Sequence, residues 1–100
     1  MDKIIVGGTN SKDLAKRVAR RIKAKYSELY ADHFPDGELR IRFQDNLKGK
    51  HTVVINSLVP SPNESMMELV FAIHTAKELG AKKVIAVAPY LAYMRQDNRF

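Results

Sequence analysis

Short apolar runs alternate along this chain with segments of helical period, and that alternation constrains the fold more than any other feature. Ile4-Ile5-Val6 is a buried-type strand that runs into Gly7-Gly8. Thr9, Asn10 and Ser11 then offer helix caps. Leu14, Val18 and Ile22 recur every four residues with Ala15 and Ala19 beside them, which predicts an amphipathic helix over residues 11 to 25. Glu38-Leu39-Arg40-Ile41-Arg42-Phe43 alternates polar and apolar as a strand buried on one face does. Leu29 to Phe34 supplies the other arm of a hairpin, with Pro35-Asp36-Gly37 as its turn, because proline presets φ and glycine accepts positive φ. After a second turn at Asn46 to Lys50, Thr52 to Asn56 and Lys82 to Ala88 read as strands. Between them Asn63 is the expected N-cap of a helix marked by Met66, Leu69, Val70, Ile73 and Ala76, with Gly80 closing it. This order calls for an α/β fold: a mostly parallel sheet flanked by helices, with right-handed crossovers, three parallel strands at its centre and a β-hairpin at about residues 29–43.

Length and charge narrow the class further. One hundred residues allow a single domain. The 45% hydrophobic and 28% charged shares are those of a globular rather than a disordered chain. A formal net charge of +6 favours anionic partners: nucleic acid, phosphorylated metabolites or an acidic surface. Lys and Arg are spread along the chain rather than gathered into a tail. There is no cysteine, hence no disulfide frame and no thiolate metal site. No leader-like or membrane-length apolar stretch is apparent, so a cytoplasmic protein without a membrane partner is expected.

Each motif has a structural reading beside a functional one. Gly7-Gly8-Thr9-Asn10-Ser11 sits where backbone N–H groups and a helix dipole attract phosphate, but it matches neither a dinucleotide fingerprint nor a P-loop. A tight strand-to-helix turn is the better reading. Lys16, Arg17, Arg20, Arg21, Lys23 and Lys25 cluster around the first helix; without aromatic platforms they read as a solvated face rather than a nucleic-acid interface. His33, His51 and His74 are not at metal-ligand spacings, and His74 is placed at the edge of the buried stripe. Met66 and Met67 are read as core. In Phe34-Pro35-Asp36-Gly37-Glu38 a tight turn over a buried phenylalanine would explain Phe34, Pro35 and Gly37, but not the two carboxylates. Carboxylates accept from an exocyclic amine, and an aromatic ring stacks on a base. Past the last strand, two tyrosines and Arg95-Gln96-Asp97-Asn98-Arg99 fall at the sheet edge where α/β proteins bind ligands, and they suit a nucleotide.

Three segments together carry a resemblance: Phe34-Pro35-Asp36-Gly37-Glu38, then Asn63-Glu64 with Met67-Glu68-Leu69, then Pro89-Tyr90-x-x-Tyr93-x-Arg95-Gln96-Asp97. In this order the chain resembles ribose-phosphate diphosphokinases (phosphoribosyl diphosphate synthetases) from Ile4 to Phe100, with an archaeal-like Pro89–Tyr93 wording. The resemblance implies two similar domains of phosphoribosyltransferase type, of which residues 1–100 form an incomplete N-terminal one without its C-terminal partner. It implies Mg²⁺-dependent transfer of the diphosphoryl group of ATP to the anomeric hydroxyl of ribose 5-phosphate, releasing AMP. Phe34, Asp36, Gly37 and Glu38 would form an adenine loop offered to a neighbouring subunit of a homo-oligomer. Arg95 and Gln96 would contact ATP within their own subunit, with Asp97 and Arg99 nearby. The family's metal-binding His and Asp, mobile catalytic loop and pentose-phosphate loop have no counterpart in this span. No catalytic or metal-ligating residue is therefore assigned, the Mg²⁺ ligands are expected downstream of residue 100, and the span alone is expected to be inactive. The alternatives are a non-catalytic assembly or regulatory module of the same fold and, on charge alone, a nucleic-acid-binding domain.

Overall fold

A computed structural model describes residues 2–89. Its elements follow in the order β1 (Lys3–Gly7), α1 (Lys12–Ile22), β2 (Lys25–His33), β3 (Leu39–Phe43), β4 (His51–Ile55), α2 (Pro62–Glu78) and β5 (Lys83–Val87). The strands form one sheet in the order β3-β2-β1-β4-β5. Strands β2, β1, β4 and β5 run parallel, and β3 closes one edge antiparallel to β2. The α/β class and the hairpin are as the sequence predicts.

The parallel core, however, has four strands rather than three, because β2 has two partners. Its first half pairs with β1, Ile4 opposite Lys25 and Gly7 opposite Glu28. Its second half pairs with β3, Leu29 opposite Phe43 and His33 opposite Leu39. For the same reason α1 ends at Ile22 and not at residue 25. Lys23 takes a left-handed conformation (φ 58°, ψ 38°) and turns its N–H back to the Ala19 and Arg20 carbonyls. The sequence conceals the start of β2 because its inward residue there is polar. Ser27 is completely buried, and its hydroxyl donates to Asp45 Oδ2 at 2.5 Å.

Alternation along the strands sends successive side chains to opposite faces, so each face receives one helix. Ile5 and Ile55 meet Ala15 and Ala19 of α1. Val6, Val54, Leu29 and Leu58 meet Leu69 and Ala72 of α2. Full burial of such Leu, Ile and Val side chains contributes roughly 1.5–3 kcal/mol each. Helix α2 starts earlier than expected, with Ser61 rather than Asn63 at the N-cap, because Pro62 at the first helical position is already set for helical φ. Gly80, at φ 88°, follows the last turn as predicted. With Ser65, Leu69, Ala72 and Ala76 facing inward, helical geometry turns Met67 and His74 outward. Met66 packs against the core, but Met67 is 45% exposed, and His74 stands in solvent beside Glu78 rather than at the buried edge. Among the described residues, no helix is long and apolar enough to cross a membrane.

The basic cluster of α1 is arranged as a solvated face. Arg17, Arg20, Arg21 and Lys23 are exposed, Arg20 and Arg21 lie in the last turn where the helix dipole favours cations, and Lys16 Nζ rests 5.6 Å from the Tyr26 ring centroid.

Candidate functional site

Two loops lie at the carboxyl edge of the parallel strands, and they are built oppositely. In the β1–α1 turn, four successive backbone N–H groups are taken up inside the protein. Gly8 donates to the Ile55 carbonyl at 2.8 Å and Ser11 to the Gly8 carbonyl at 3.1 Å. Thr9 donates to Glu68 Oε2 at 2.8 Å and Asn10 to Asn56 Oδ1 at 3.0 Å. The Asn10 side chain adds bonds to the Ser57 carbonyl and the Ser65 hydroxyl. Ser11 occupies the N-cap position of α1, yet its hydroxyl accepts from the Ser57 N–H instead of capping the helix. Glycine is required at position 8, where a Cβ would sit 2.4 Å from Cγ of the Asn56 side chain. These four donors are not available to a phosphate, and the segment is the tight turn favoured by the sequence.

Glu68 carries the resemblance in the sequence, but its part in this turn is not read there. Its carboxylate is buried on the inward side of α2, 5% exposed, and anchors the Thr9 N–H from 59 positions away. The available signal was a charge at position 68 beside the apolar Leu69, in register with the inward Ala72 and Ala76.

The hairpin tip has the opposite character. Phe34 O accepts from Gly37 N–H at 2.8 Å, and Phe34 N–H donates to Glu38 O at 2.8 Å. Gly37 carries φ 94°, so the loop is a four-residue turn closed by a left-handed glycine. Asp36 Oδ1 accepts from the Glu38 N–H at 3.0 Å, which commits one of its oxygens to the loop itself. The Phe34 ring is 44% exposed rather than buried, and Asp36, Gly37 and Glu38 are exposed with it. Arg40 lies beneath, its guanidinium carbon 5.4 Å from the Phe34 ring centroid. The tip thus presents an uncovered aromatic face and two carboxylates on a closed frame, a combination able to stack on a planar ring and accept from its amino group.

Polar ties hold this arm to the body. His33 Nε2 lies 2.8 Å from Glu64 Oε1 on α2, a partner no sequence spacing revealed. Beside it a cleft of about 170 Å³ opens between the hairpin and α2, with Thr9, Asn10 and Glu68 in its wall. On the other face, Lys12 Nζ donates to Glu28 Oε2 at 2.6 Å and to the Leu29 carbonyl at 2.8 Å. The hydrogen bond from Lys12 is the main reason the Glu28 carboxyl lies below its ordinary value. Nearby, burial and the Glu28 carboxylate push the Tyr26 hydroxyl up to about 12. Hydrogen bonds from Ser27 and then Lys25 lower Asp45 in the same way. Arg95, Gln96, Asp97 and Arg99 lie outside the described residues.

Residues 3–100 match the sequence family described as the N-terminal domain of ribose phosphate pyrophosphokinase. The chain belongs to that family. It is 35% identical over 97 residues to the ribose-phosphate pyrophosphokinase of Sulfolobus acidocaldarius and 40% identical over 97 residues to that of Methanobrevibacter smithii. These alignments take in 97% of the chain but 33% and 32% of the relatives, so it spans about a third of their length. The solved phosphoribosylpyrophosphate synthetase of Mycobacterium smegmatis superposes with a TM-score of 0.85 at 29% identity, over 98% of this chain and 33% of that one. A purine phosphoribosyltransferase from Pyrococcus horikoshii shares the fold, with a TM-score of 0.64 at 18% identity over 91% of this chain and 64% of the other.

Proposed function

We propose that the chain is the ATP-side N-terminal portion of a ribose-phosphate pyrophosphokinase, which transfers the diphosphoryl group of ATP to the anomeric hydroxyl of ribose 5-phosphate and releases AMP. The observation that carries this reading is the exposed Phe34 ring at the tip of the hairpin, flanked by Asp36 and Glu38, in a chain matched to that family across residues 3–100. In it, Phe34 stacks on adenine. Glu38, whose carboxylate is not tied into the loop as Asp36 Oδ1 is, accepts from the exocyclic amine, and Gly37 closes the turn without placing a side chain beside the base. Arg95 and Gln96, with Asp97 and Arg99 beside them, bind the phosphate chain in a second subunit of a cytoplasmic homo-oligomer.

Diphosphoryl transfer depends on positioning and on charge stabilisation. Mg²⁺ would supply neutralisation of the ATP phosphates. Among the described residues, no three His, Asp or Glu side chains gather into a site able to hold a metal ion. The part given to these residues is capture and orientation of the base.

A shared site makes activity depend on assembly. In the intact enzyme, Glu38→Ala and Arg95→Ala variants are each expected to be nearly inactive alone. Mixed after dissociation and reassembly, they are expected to recover part of the activity, because some interfaces then join two intact halves. A mixture as inactive as its parents would place both halves of the site on one chain and overturn the shared-site reading.

A further inference from the structure

We infer that Asp32 and Arg40 are positioning residues that hold the Phe34 ring ready for a purine base. The inference rests on the adenine reading above and extends it to side chains outside the Phe34–Glu38 loop.

The β2–β3 register sets Asp32 directly opposite Arg40. Arg40 Nε donates to Asp32 Oδ1 at 2.8 Å, and Arg40 Nη2 donates to Oδ2 at 2.7 Å. Two parallel bonds from a planar fork fix the guanidinium in orientation as well as position, which a single contact would not do. The hydrogen bonding from Arg40 also holds the Asp32 carboxyl below its ordinary value, with Arg42, 4.0 Å from Oδ2, adding to the attraction. The fork therefore stays ionised throughout the neutral range.

The fixed guanidinium lies against one face of Phe34, 5.4 Å from the ring centroid. Phe34 is 44% exposed at the start of a solvent-facing loop, where a bare aromatic side chain would sample several rotamers. A planar cation over one face restricts that sampling before ligand arrives, and a preordered contact loses less entropy on binding. It also draws π density away from the opposite face, which favours stacking there with an electron-rich purine. Arg40 thus acts through Phe34. Its Nε–Nη2 edge is committed to Asp32 and its carbon lies by the Phe34 ring, which suits it as a support for the stacking ring.

The test measures dissociation constants for Mg-ATP and for adenosine, which has no phosphate, in the intact enzyme carrying Arg40→Ala, Arg40→Lys, Asp32→Asn, Phe34→Ala and the Phe34→Ala/Arg40→Ala pair. Thermal midpoints are recorded alongside. Arg40→Ala is expected to weaken both ligands about threefold, the change that corresponds to an exposed cation–π contact. Arg40→Lys should fail to restore affinity because it keeps the charge and loses the fork, and Asp32→Asn should reproduce part of the loss. In the Phe34→Ala background Arg40→Ala should add nothing. The inference is overturned by wild-type affinity in Arg40→Ala, by an equal loss in the Phe34→Ala background, or by a loss for ATP that is absent for adenosine. A Phe34→Ala variant with wild-type affinity would instead remove the adenine reading, and this inference with it.

Discussion

The β1–α1 turn and the β2–β3 tip are both short, glycine-bearing polar loops, and they use their polar groups in opposite ways. The turn commits four N–H groups, to the Ile55 and Gly8 carbonyls and to the Glu68 and Asn56 side chains, and engages the side chains of Asn10 and Ser11 with Ser57 and Ser65. The tip closes on itself with two backbone bonds and one Asx contact, and leaves Phe34 and Glu38 facing solvent. A loop at a sheet's carboxyl edge is therefore not a binding loop by location alone. What distinguishes a binding loop is polar and aromatic surface that the fold has not already consumed.

The two glycines give the sharpest contrast. A Cβ at residue 8 would meet the Asn56 side chain at 2.4 Å, whereas one at residue 37 would meet nothing within 4 Å. Gly8→Ala must displace Asn56 and with it the Asn10 N–H bond, so a loss of about 2–3 kcal/mol is expected from overpacking and an unpaired donor together. Chemical denaturation reads it directly. A Gly8→Ala protein as stable as the parent would show that the turn is looser than its bonds suggest.

Glu68 comes next. Glu68→Leu fits the helix but leaves the Thr9 N–H without its acceptor, which should destabilise the fold by about 1–3 kcal/mol. Glu68→Gln keeps an acceptor oxygen and should recover most of that. If both substitutions cost the same, the charge rather than the hydrogen bond holds the turn, and the comparison between the loops needs another basis.

Much of this was legible in the sequence, and the gaps have physical causes. Ile4-Ile5-Val6, the 14/18/22 spacing and the 38–43 alternation mark β1, α1 and β3 because each turns an apolar stripe of one period toward the core, although in α1 it is Ala15 and Ala19 that are fully buried and Ile22 is 50% exposed. The start of β2 does not, since Lys25-Tyr26-Ser27-Glu28 buries a serine satisfied by Asp45 from a distant loop. Met67 was misplaced because α2 carries apolar residues on its exposed side too, so composition alone does not say which side faces the sheet. The tip residues were legible as a motif. Their support was not: Arg40 stands across the sheet register from Asp32 and under Phe34, and only the pairing of β2 with β3 brings the three together.

The most direct test of the account is the affinity of the intact enzyme for Mg-ATP with Phe34 replaced by alanine. Phe34 is exposed and, among the described residues, belongs to no buried apolar cluster, so the variant should keep its stability to within about 0.5 kcal/mol. Loss of the stacked ring should raise the dissociation constant roughly tenfold. It should also narrow the preference for ATP over GTP, whose base carries a carbonyl in place of the 6-amino group that Glu38 is proposed to accept from. An unchanged affinity in a well-folded Phe34→Ala enzyme would contradict the claim that the hairpin tip receives the base.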